Sequence, residues 1–267
     1  MSKKANYNAE TDYMKITPYG ITYMRKGEKI HKDFDINYYD LRRQLKGMPY
    51  NQFYESIGGK DAYNETVERM SMPSICRLFY KMFCESLKIP TPKELVNTYL
   101  SRYCNEYNKN SYILKKQYNK QNQQVIVFSY SDIAGRILRS YCSFCREIML
   151  LASLAKYDCK LNVYYSYYDD FVNGIDLVIE CNGKRYGIAT YVGTKNSQKH
   201  RKYKQDNFYK DEKLEIIEMP AYLSSSRYQN TTEIGDVAVY SENYIDSIFN
   251  FFIQKTWFVL IIRNKAS

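Results

Sequence analysis

The chain has 267 residues, enough for one large domain or two unequal ones. Lysine and arginine number 39 against 29 acidic residues, which gives a formal net charge of +10 and a pI near 9.0. This charge disfavours a neutral partner and favours a polyanionic one, with nucleic acid ahead of an anionic membrane surface. The alternative is a soluble protein whose charge serves no specific purpose.

The cysteine count and the hydropathy pattern predict a cytoplasmic protein without a membrane anchor. The seven cysteines are odd in number, and Met1 to Tyr13 is polar and lacks the apolar segment of a secretory signal. The apolar stretch from Ile245 to Ile262 is interrupted by charges and amides that membrane helices rarely carry. Cys142 and Cys145 are expected to pack in a core, since no second cysteine pair follows at zinc-site spacing.

The first elements in chain order are short strands followed by helices. Residues 14–36 predict a hairpin or small meander, because β-like runs surround a Pro-Tyr-Gly turn and a Lys-Gly turn. Helical patterns begin at about Tyr38. Thr91 to Glu94 combines an N-cap, a proline at the first helical position and an acidic first turn, which predicts a helix running to about Cys104.

The polar segment from Asn105 to Gln124 indicates a division of the chain. It consists almost wholly of Asn, Lys, Gln and Tyr, a composition typical of a linker or an exposed basic helix. We therefore predict a domain of a β-hairpin plus helices over residues 1–110, a basic linker or exposed helix over 111–124, and an α/β domain over 125–267.

The second half predicts an alternating α/β order. The expected elements are a strand at 125–129, a helix at 132–156, strands at 161–165, 175–181 and 185–192, a helix at 197–212, a strand at 214–218, a helix at 242–254 and a strand at 257–262. Asn182-Gly183 is a two-residue turn signal, so the strands on either side of it are expected to be antiparallel neighbours.

Residues 132–218 resemble the PD-(D/E)XK nuclease superfamily, which has the restriction-endonuclease-like fold. The resemblance lies in Glu147 on the first helix, in the strand Gly174-Ile175-Asp176-Leu177-Val178-Ile179, in the Asn-Gly turn, and in Tyr186-Gly187-Ile188-Ala189-Thr190 on the next strand. It implies an αβββαβ core in the C-terminal half, beside a mainly helical N-terminal half.

The resemblance also implies a Mg²⁺ site, because carboxylate oxygens that converge from adjacent elements suit this hard cation. Asp176 matches the family's first metal ligand, and Glu147 matches the helix glutamate often found near the metal. Ile188 stands where a second carboxylate or a glutamine is expected, and Thr190 stands where the catalytic lysine is expected. Neither side chain can take that role, so we expect the site to be catalytically degenerate.

Relocated groups are the alternative to a degenerate site. Glu180 could supply a second carboxylate, because it lies four residues after Asp176 on the same strand face. Lys184, Lys195 or Lys204 could supply an ammonium group. Otherwise Glu180 and Lys184 belong to a solvated hairpin end. The pair at 169–170, both aspartates, is expected to be ordinary loop chemistry.

The densest basic run, over residues 195–213, is predicted to contact phosphates. In nuclease-like folds, the helix after the third core strand flanks the substrate groove, and a solvated helix face is the alternative. The residues expected to bind nucleic acid are Lys195, Lys199, Arg201, Lys202 and Lys204.

Three functions remain open on this sequence. The first is a nuclease-fold protein that binds nucleic acid, DNA more than RNA, without cutting, in a mobile element, phage or defence setting. The second is an active Mg²⁺-dependent endonuclease with relocated catalytic groups. The third is an inhibitor or adaptor that docks on a protein and uses the fold as a scaffold. Each is compatible with a homodimer, and none involves a membrane.

Overall fold

A computed structural model describes residues 8, 12–69, 72, 74–114, 126–157, 161–181, 183–194, 214–223 and 226–265, with side chains to residue 254 in the last helix. The protein is a mixed α/β structure, as predicted. Its contacts divide it into two compact units. Unit 1 comprises Met1–Arg42, Arg146–Ile234 and Ala238–Ser267, and unit 2 comprises Arg43–Cys145 and Gly235–Val237.

The elements are numbered in chain order. The strands are β1 Met14–Thr17, β2 Gly20–Arg25, β3 Glu28–Asp33, β4 Cys104–Asn108, β5 Ser111–Leu114, β6 Phe128–Ser129, β7 Asn162–Ser166, β8 Leu177–Cys181, β9 Lys184–Val192, β10 Leu214–Ala221, β11 Thr231–Ile234 and β12 Val237–Tyr240. The helices are α1 Tyr38–Lys46, α2 Tyr50–Ser56, α3 Glu65–Arg69, α4 Ile75–Ser86, α5 Pro92–Tyr103, α6 Tyr130–Ala155 and α7 Glu242–Lys265.

Unit 1 contains a seven-stranded sheet in the order β10-β9-β8-β7-β1-β2-β3. Neighbouring strands are antiparallel, except that β10 runs parallel to β9. The predicted meander at 14–36 is confirmed as β1–β3, and the predicted antiparallel pair around Asn182-Gly183 is confirmed as β8 and β9. Ile16 of β1 lies opposite Tyr165 of β7, so the N-terminal strands extend the sheet of the C-terminal strands.

Unit 2 contains α2–α5, most of α6 and a three-stranded sheet of β4–β6. The predicted start of α5 is confirmed: Thr91 and Glu94 form a reciprocal capping box, which satisfies two amide groups that the helix leaves unpaired. The core of this unit is aromatic. Tyr141 of α6 stacks on Tyr50 and meets Phe79 edge-on, and its hydroxyl donates to the carbonyl of Pro90 at 2.8 Å.

Two predicted segments differ from the structure. The strand expected at 257–262 is wrong, because α7 continues as one helix to Lys265. The run is rich in aromatic and β-branched residues, which favour strands, but no glycine or proline stops the helix after Gln254. Within 105–114, where we expected a linker or basic helix, the chain forms the β4–β5 hairpin around Asn110, whose φ is +63°. Residues 115–125 lie outside the described residues, so the predicted domain boundary stays a prediction.

Within the part of the chain that the structure describes, no helix combines the length and apolar composition needed to cross a membrane.

Candidate functional site

Asp176 lies at the start of β8, where the β8–β9 pairing holds its carboxylate. Its amide donates to the carbonyl of Ile188 at 2.8 Å, and the residue is 7% exposed. Oδ2 of Asp176 accepts two hydrogen bonds from Thr190, one from the backbone amide and one from the hydroxyl at 3.0 Å. Hydrogen bonds of this kind stabilise a buried carboxylate without adding positive charge.

Ile188 and Thr190, the two positions where a carboxylate or glutamine and a lysine were expected, have structural roles. Ile188 is fully buried and lies opposite Leu177 in the β8–β9 pair. Thr190, two residues further along β9, is the residue that binds Asp176. Position 188 is therefore an aliphatic core side chain, and position 190 is a neutral hydroxyl that donates to Asp176.

Glu147 lies on α6 beside Arg146, and both side chains are buried, with 5% and 3% of their surfaces exposed. Nε of Arg146 donates to the carbonyl of Ala238 in β12 at 3.0 Å. This bond ties the charged part of α6 to the strand that ends in Tyr240.

Tyr240 connects these groups to Asp176. Its hydroxyl donates to the carbonyl of Met219 at 2.6 Å, and Met219 lies opposite Thr190 in the parallel β9–β10 pair.

Burial raises the pKa of Tyr240 well above 10.0. The Arg146 cation opposes this rise, and Tyr244, Asp176 and Glu147 add to it. Asp176 and Glu147 therefore both act electrostatically on one phenol.

Glu180 lies at the other end of β8 with partners of its own. Its carboxylate accepts from the hydroxyl of Tyr164 at 2.8 Å and from the side-chain amide of Asn162 at 2.8 Å, and Nε of Arg185 is 3.6 Å away. Burial and the hydrogen bond to Glu180, opposed by Arg185, raise the pKa of Tyr164 to about 12. Lys184 is exposed at the hairpin. The structure thus places Glu180 in a polar network with Tyr164.

Asp169 belongs to the same network, although we expected it to be an ordinary loop residue. It is 5% exposed, accepts from the side-chain amide of Asn173 at 3.0 Å, and lies 3.7 Å from Nη2 of Arg185. It begins a π-helical turn, Asp169–Asn173, that ends at Gly174 with φ +68°. This turn directs the chain into Asp176.

The predicted phosphate-binding residues, Lys195, Lys199, Arg201, Lys202 and Lys204, lie outside the described residues, so their role stays a prediction.

Sequence reasoning missed Arg146 and Tyr240. Arg146-Glu147 is a charged pair inside an otherwise apolar helical run, a pattern that signals a buried polar contact. Tyr240 carried no such signal, because it is one of 30 tyrosines.

The described residues around Asp176 offer few free oxygen donors to a Mg²⁺ ion. Mg²⁺ requires near-octahedral oxygen coordination, commonly from one or two carboxylates plus waters and phosphates. Here one carboxylate oxygen of Asp176 is engaged by Thr190, and the buried cation Arg146 acts on the same phenol as both carboxylates. Among the described residues, no group of three or more acidic, histidine or cysteine side chains is arranged to hold a metal.

In comparisons with protein-family models, curated proteins and solved structures, the chain matched none.

Proposed function

We propose that the protein has a restriction-endonuclease-like core and binds nucleic acid without cutting it. The proposal combines three lines of support: the strand order of unit 1, the surroundings of Asp176 and the basic charge of the chain.

The support for the core comes from α6 and the strands that follow it. Strands β7, β8 and β9 form an antiparallel meander after α6, and β10 then joins β9 in parallel. Parallel neighbours need a crossover connection of a dozen or more residues, and residues 193–213 supply that length. The strands therefore follow the order that an αβββαβ core requires, and β1–β3 and the β11–β12 hairpin would be additions to it. The second helix of that core, predicted at 197–212, lies outside the described residues.

The observation that carries the absence of cutting is the contact between Thr190 and Asp176. A lysine at that position would orient the attacking water and offset the negative charge that develops on the phosphate. Thr190 instead donates hydrogen bonds from its hydroxyl and its backbone amide to Asp176. A neutral hydroxyl cannot supply the missing charge, so the described positions 188 and 190 offer neither the second carboxylate nor the lysine that phosphodiester hydrolysis would use.

The support for binding is electrostatic. The formal net charge of +10 attracts a polyanion, and the basic run at 195–213 follows the third core strand, where the family's substrate groove lies. We propose DNA ahead of RNA as the ligand, in a mobile element, phage or defence setting.

Cleavage and binding are tested together on supercoiled plasmid, single-stranded DNA and RNA, in Mg²⁺, Mn²⁺ or EDTA. Wild-type protein and the Asp176→Ala variant are both expected to shift plasmid DNA at low salt and to leave it uncut in every metal condition. Metal-dependent cutting that disappears in Asp176→Ala would establish an endonuclease with relocated groups instead. Protein that neither shifts nor cuts any nucleic acid would favour a protein-docking inhibitor or adaptor.

A further inference from the structure

The loop between β10 and β11 is closed at its base by side-chain hydrogen bonds. The side-chain amide of Asn230 accepts from the backbone amide of Tyr222 at 2.7 Å and donates to the carbonyl of Pro220 at 2.8 Å. The hydroxyl of Thr231 donates to the carbonyl of Tyr222 at 2.7 Å. Because both backbone groups of Tyr222 are bonded, this residue has a fixed place at the base of the loop.

Tyr222 packs against the ends of the parallel strands β9 and β10. The amide of Gly193, directly after β9, donates to the carbonyl of Ala221 at 2.9 Å. A Cβ on Gly193 would be 2.6 Å from two ring carbons of Tyr222, so the ring lies against this glycine. This end of β9 also carries Thr190, and the basic run that begins at Lys195 follows in sequence. In open α/β sheets, ligands commonly bind outside the carboxyl ends of the strands, and the ring of Tyr222 lies there.

Tyr228 presents an exposed aromatic ring beside Tyr222. The two ring centroids are 6.1 Å apart, and 65% of Tyr228 is exposed. Its backbone amide donates to the hydroxyl of Ser226 at 3.2 Å. The guanidinium carbon of Arg227, which is also exposed, lies 5.5 Å from the centre of the Tyr228 ring. The loop thus places a cation and an aromatic ring side by side at the surface.

Exposure alone does not distinguish Tyr228, because Tyr19 in the β1–β2 turn is 62% exposed. What distinguishes Tyr228 is its company, an anchored second ring on Tyr222 and the charge of Arg227. An exposed ring with a neighbouring cation suits a ligand that is both aromatic and anionic.

A nucleotide has both of these properties. Its base can stack on an aromatic side chain, and its phosphate can meet an arginine. In a duplex the faces of each base are covered by the neighbouring bases, so an aromatic side chain stacks on a base that is unpaired. The formal net charge of +10 and the basic run nearby favour a polyanion over a single small aromatic anion.

We propose that Tyr228 and Arg227 bind an unpaired nucleotide, with its base stacked on the ring of Tyr228 and a phosphate against Arg227. Tyr222 has a positioning role, because its anchored ring supports that of Tyr228. The inference rests on the proposed function and deepens it, since it specifies nucleic acid with at least one unpaired base as the ligand.

The test measures binding by fluorescence anisotropy with three labelled ligands of equal length. They are a DNA single strand, the same strand with abasic sugars in place of its bases, and a duplex. The first two ligands carry the same number of phosphates, so a difference between them reports the bases. Wild-type protein is expected to bind the intact strand roughly 10-fold more tightly than the abasic strand, because stacking on one base contributes about that factor.

Substitutions of Tyr228 separate the ring from its bulk and its hydroxyl. Tyr228→Leu keeps an apolar side chain without a ring, so it is expected to bind the intact strand roughly 10-fold more weakly than wild type and the abasic strand equally well. Tyr228→Phe keeps the ring and should retain the preference for the intact strand. Tyr19→Leu, which removes a ring of similar exposure, is the matched control and should bind all three ligands as wild type does.

Arg227→Gln tests the cation. It is expected to weaken binding of the intact and the abasic strand by similar factors, and the slope of log affinity against log salt should be shallower by about 0.7. All variants are compared below the midpoint of their thermal unfolding.

Three results would overturn the stacking site. They are wild-type protein that binds the intact and abasic strands equally, a Leu variant that keeps the wild-type preference, and a Phe variant that loses as much affinity as the Leu variant. Wild-type protein that binds none of the three ligands at low salt contradicts the proposed function and this inference together. Wild-type protein that binds all three while Tyr228→Leu changes nothing contradicts the stacking site alone.

Discussion

Thr190 and Tyr164 are two polar side chains whose hydroxyl groups each donate a hydrogen bond to a carboxylate in β8 or immediately before it. Thr190 donates to Asp176, and Tyr164 donates to Glu180. Both are uncharged, and both satisfy acceptors that are partly or wholly withdrawn from water. A hydrogen bond to a charged group contributes more to stability than one between neutral groups, so each contact can be tested by itself.

Replacing Thr190 by Val removes the hydroxyl that donates to Asp176 and leaves the backbone amide in place. We expect the free energy of unfolding to fall by about 1–3 kcal/mol, because a buried carboxylate loses one of its donors. Urea denaturation measures the change, and Thr190→Ser, which keeps the hydroxyl, is the matched control. A Val variant as stable as the Ser variant would show that the hydroxyl contributes nothing.

Tyr164 predicts a dependence of stability on alkaline pH. Its pKa is raised from 10.0 to about 12 by burial and by the hydrogen bond to Glu180, so the folded state holds the phenolic proton more tightly than the unfolded state. This contribution is fully present below pH 10 and is lost as the pH rises towards 12. The stability advantage of wild type over Tyr164→Phe is therefore expected to shrink through that interval in urea titrations, and an advantage independent of pH would contradict the assignment.

At the scale of elements, helix packing depends on close approaches that single residues permit. A Cβ on Gly135 of α6 would overlap the carbonyl oxygen of Ala62, which also accepts a hydrogen bond from Nη1 of Arg139 at 2.9 Å. Arg139 and Arg136 both pair with Glu68, with Nε of Arg136 at 3.1 Å. The absence of a side chain at Gly135 thus allows α6 to lie against the segment before α3 in unit 2.

The Gly135→Ala variant tests this approach. Alanine raises helix propensity by about 1 kcal/mol, but the overlap with Ala62 is expected to outweigh that gain and to lower the free energy of unfolding by about 1–3 kcal/mol. Gly47→Ala is the control, because the nearest atom to a Cβ there is 3.8 Å away. In thermal unfolding, the midpoint temperature of Gly135→Ala should fall clearly further than that of Gly47→Ala.

The register of α7 can be tested with two adjacent phenylalanines. Phe252 is fully buried and meets Tyr186 of β9 edge-on with 5.1 Å between ring centroids, whereas Phe251 is 42% exposed. Phe252→Ala is expected to cost about 3–5 kcal/mol through the cavity it leaves, and Phe251→Ala less than about 1 kcal/mol. Equal losses in urea denaturation would mean that α7 does not present this face to the sheet.

The elements predicted best from the sequence are those whose ends are fixed by neighbouring residues, such as a helix cap or a tight turn. The capping residues of α5 and the Asn-Gly turn between β8 and β9 are such signals. The β11–β12 hairpin was not predicted, although Gly235-Asp236 is a two-residue turn, because two strands of four residues each carry only a short alternating pattern. The strand predicted at 257–262 was wrong. The composition of this run favours β structure, but the run continues α7 without a helix-breaking residue.

The candidate site was only partly readable from the sequence. Asp176 and Glu147 could be singled out by spacing, and their catalytic roles stay predictions. The contact of Thr190 with Asp176 was not predicted. A threonine in place of the expected lysine indicates a lost catalytic group, but the sequence does not indicate that this threonine donates a hydrogen bond to Asp176. Arg146 and Tyr240 reach the site through pairing between elements distant in sequence, which no local pattern specifies.

At the scale of the whole molecule, the net charge of +10 predicts strongly salt-dependent binding of nucleic acid. A variant with Lys199, Arg201, Lys202 and Lys204 changed to Ala should bind DNA more weakly, and the slope of log affinity against log salt should be shallower by up to about 3–4.

The matched control changes four exposed cations elsewhere, Arg25, Lys46, Lys60 and Lys88, to Ala and removes the same formal charge. Fluorescence anisotropy over a salt series measures both variants. If the control weakens binding and flattens the slope as much as the first variant, the basic run has no special role and only net charge matters.

The pairing of β1 with β7 has a consequence for the order in which the chain is made. Ile16 and Lys15 meet partners about 150 residues further along, so the β1–β3 meander leaves the ribosome long before the strand that completes its sheet. At typical elongation rates the wait is about 10–30 s. During that interval one side of β1 has no partner strand, while the outer strand β3 carries exposed charged residues that discourage another chain from pairing with it. A nascent chain stalled before residue 166 should therefore expose β1 to chaperones, and release of that contact should coincide with synthesis of β7.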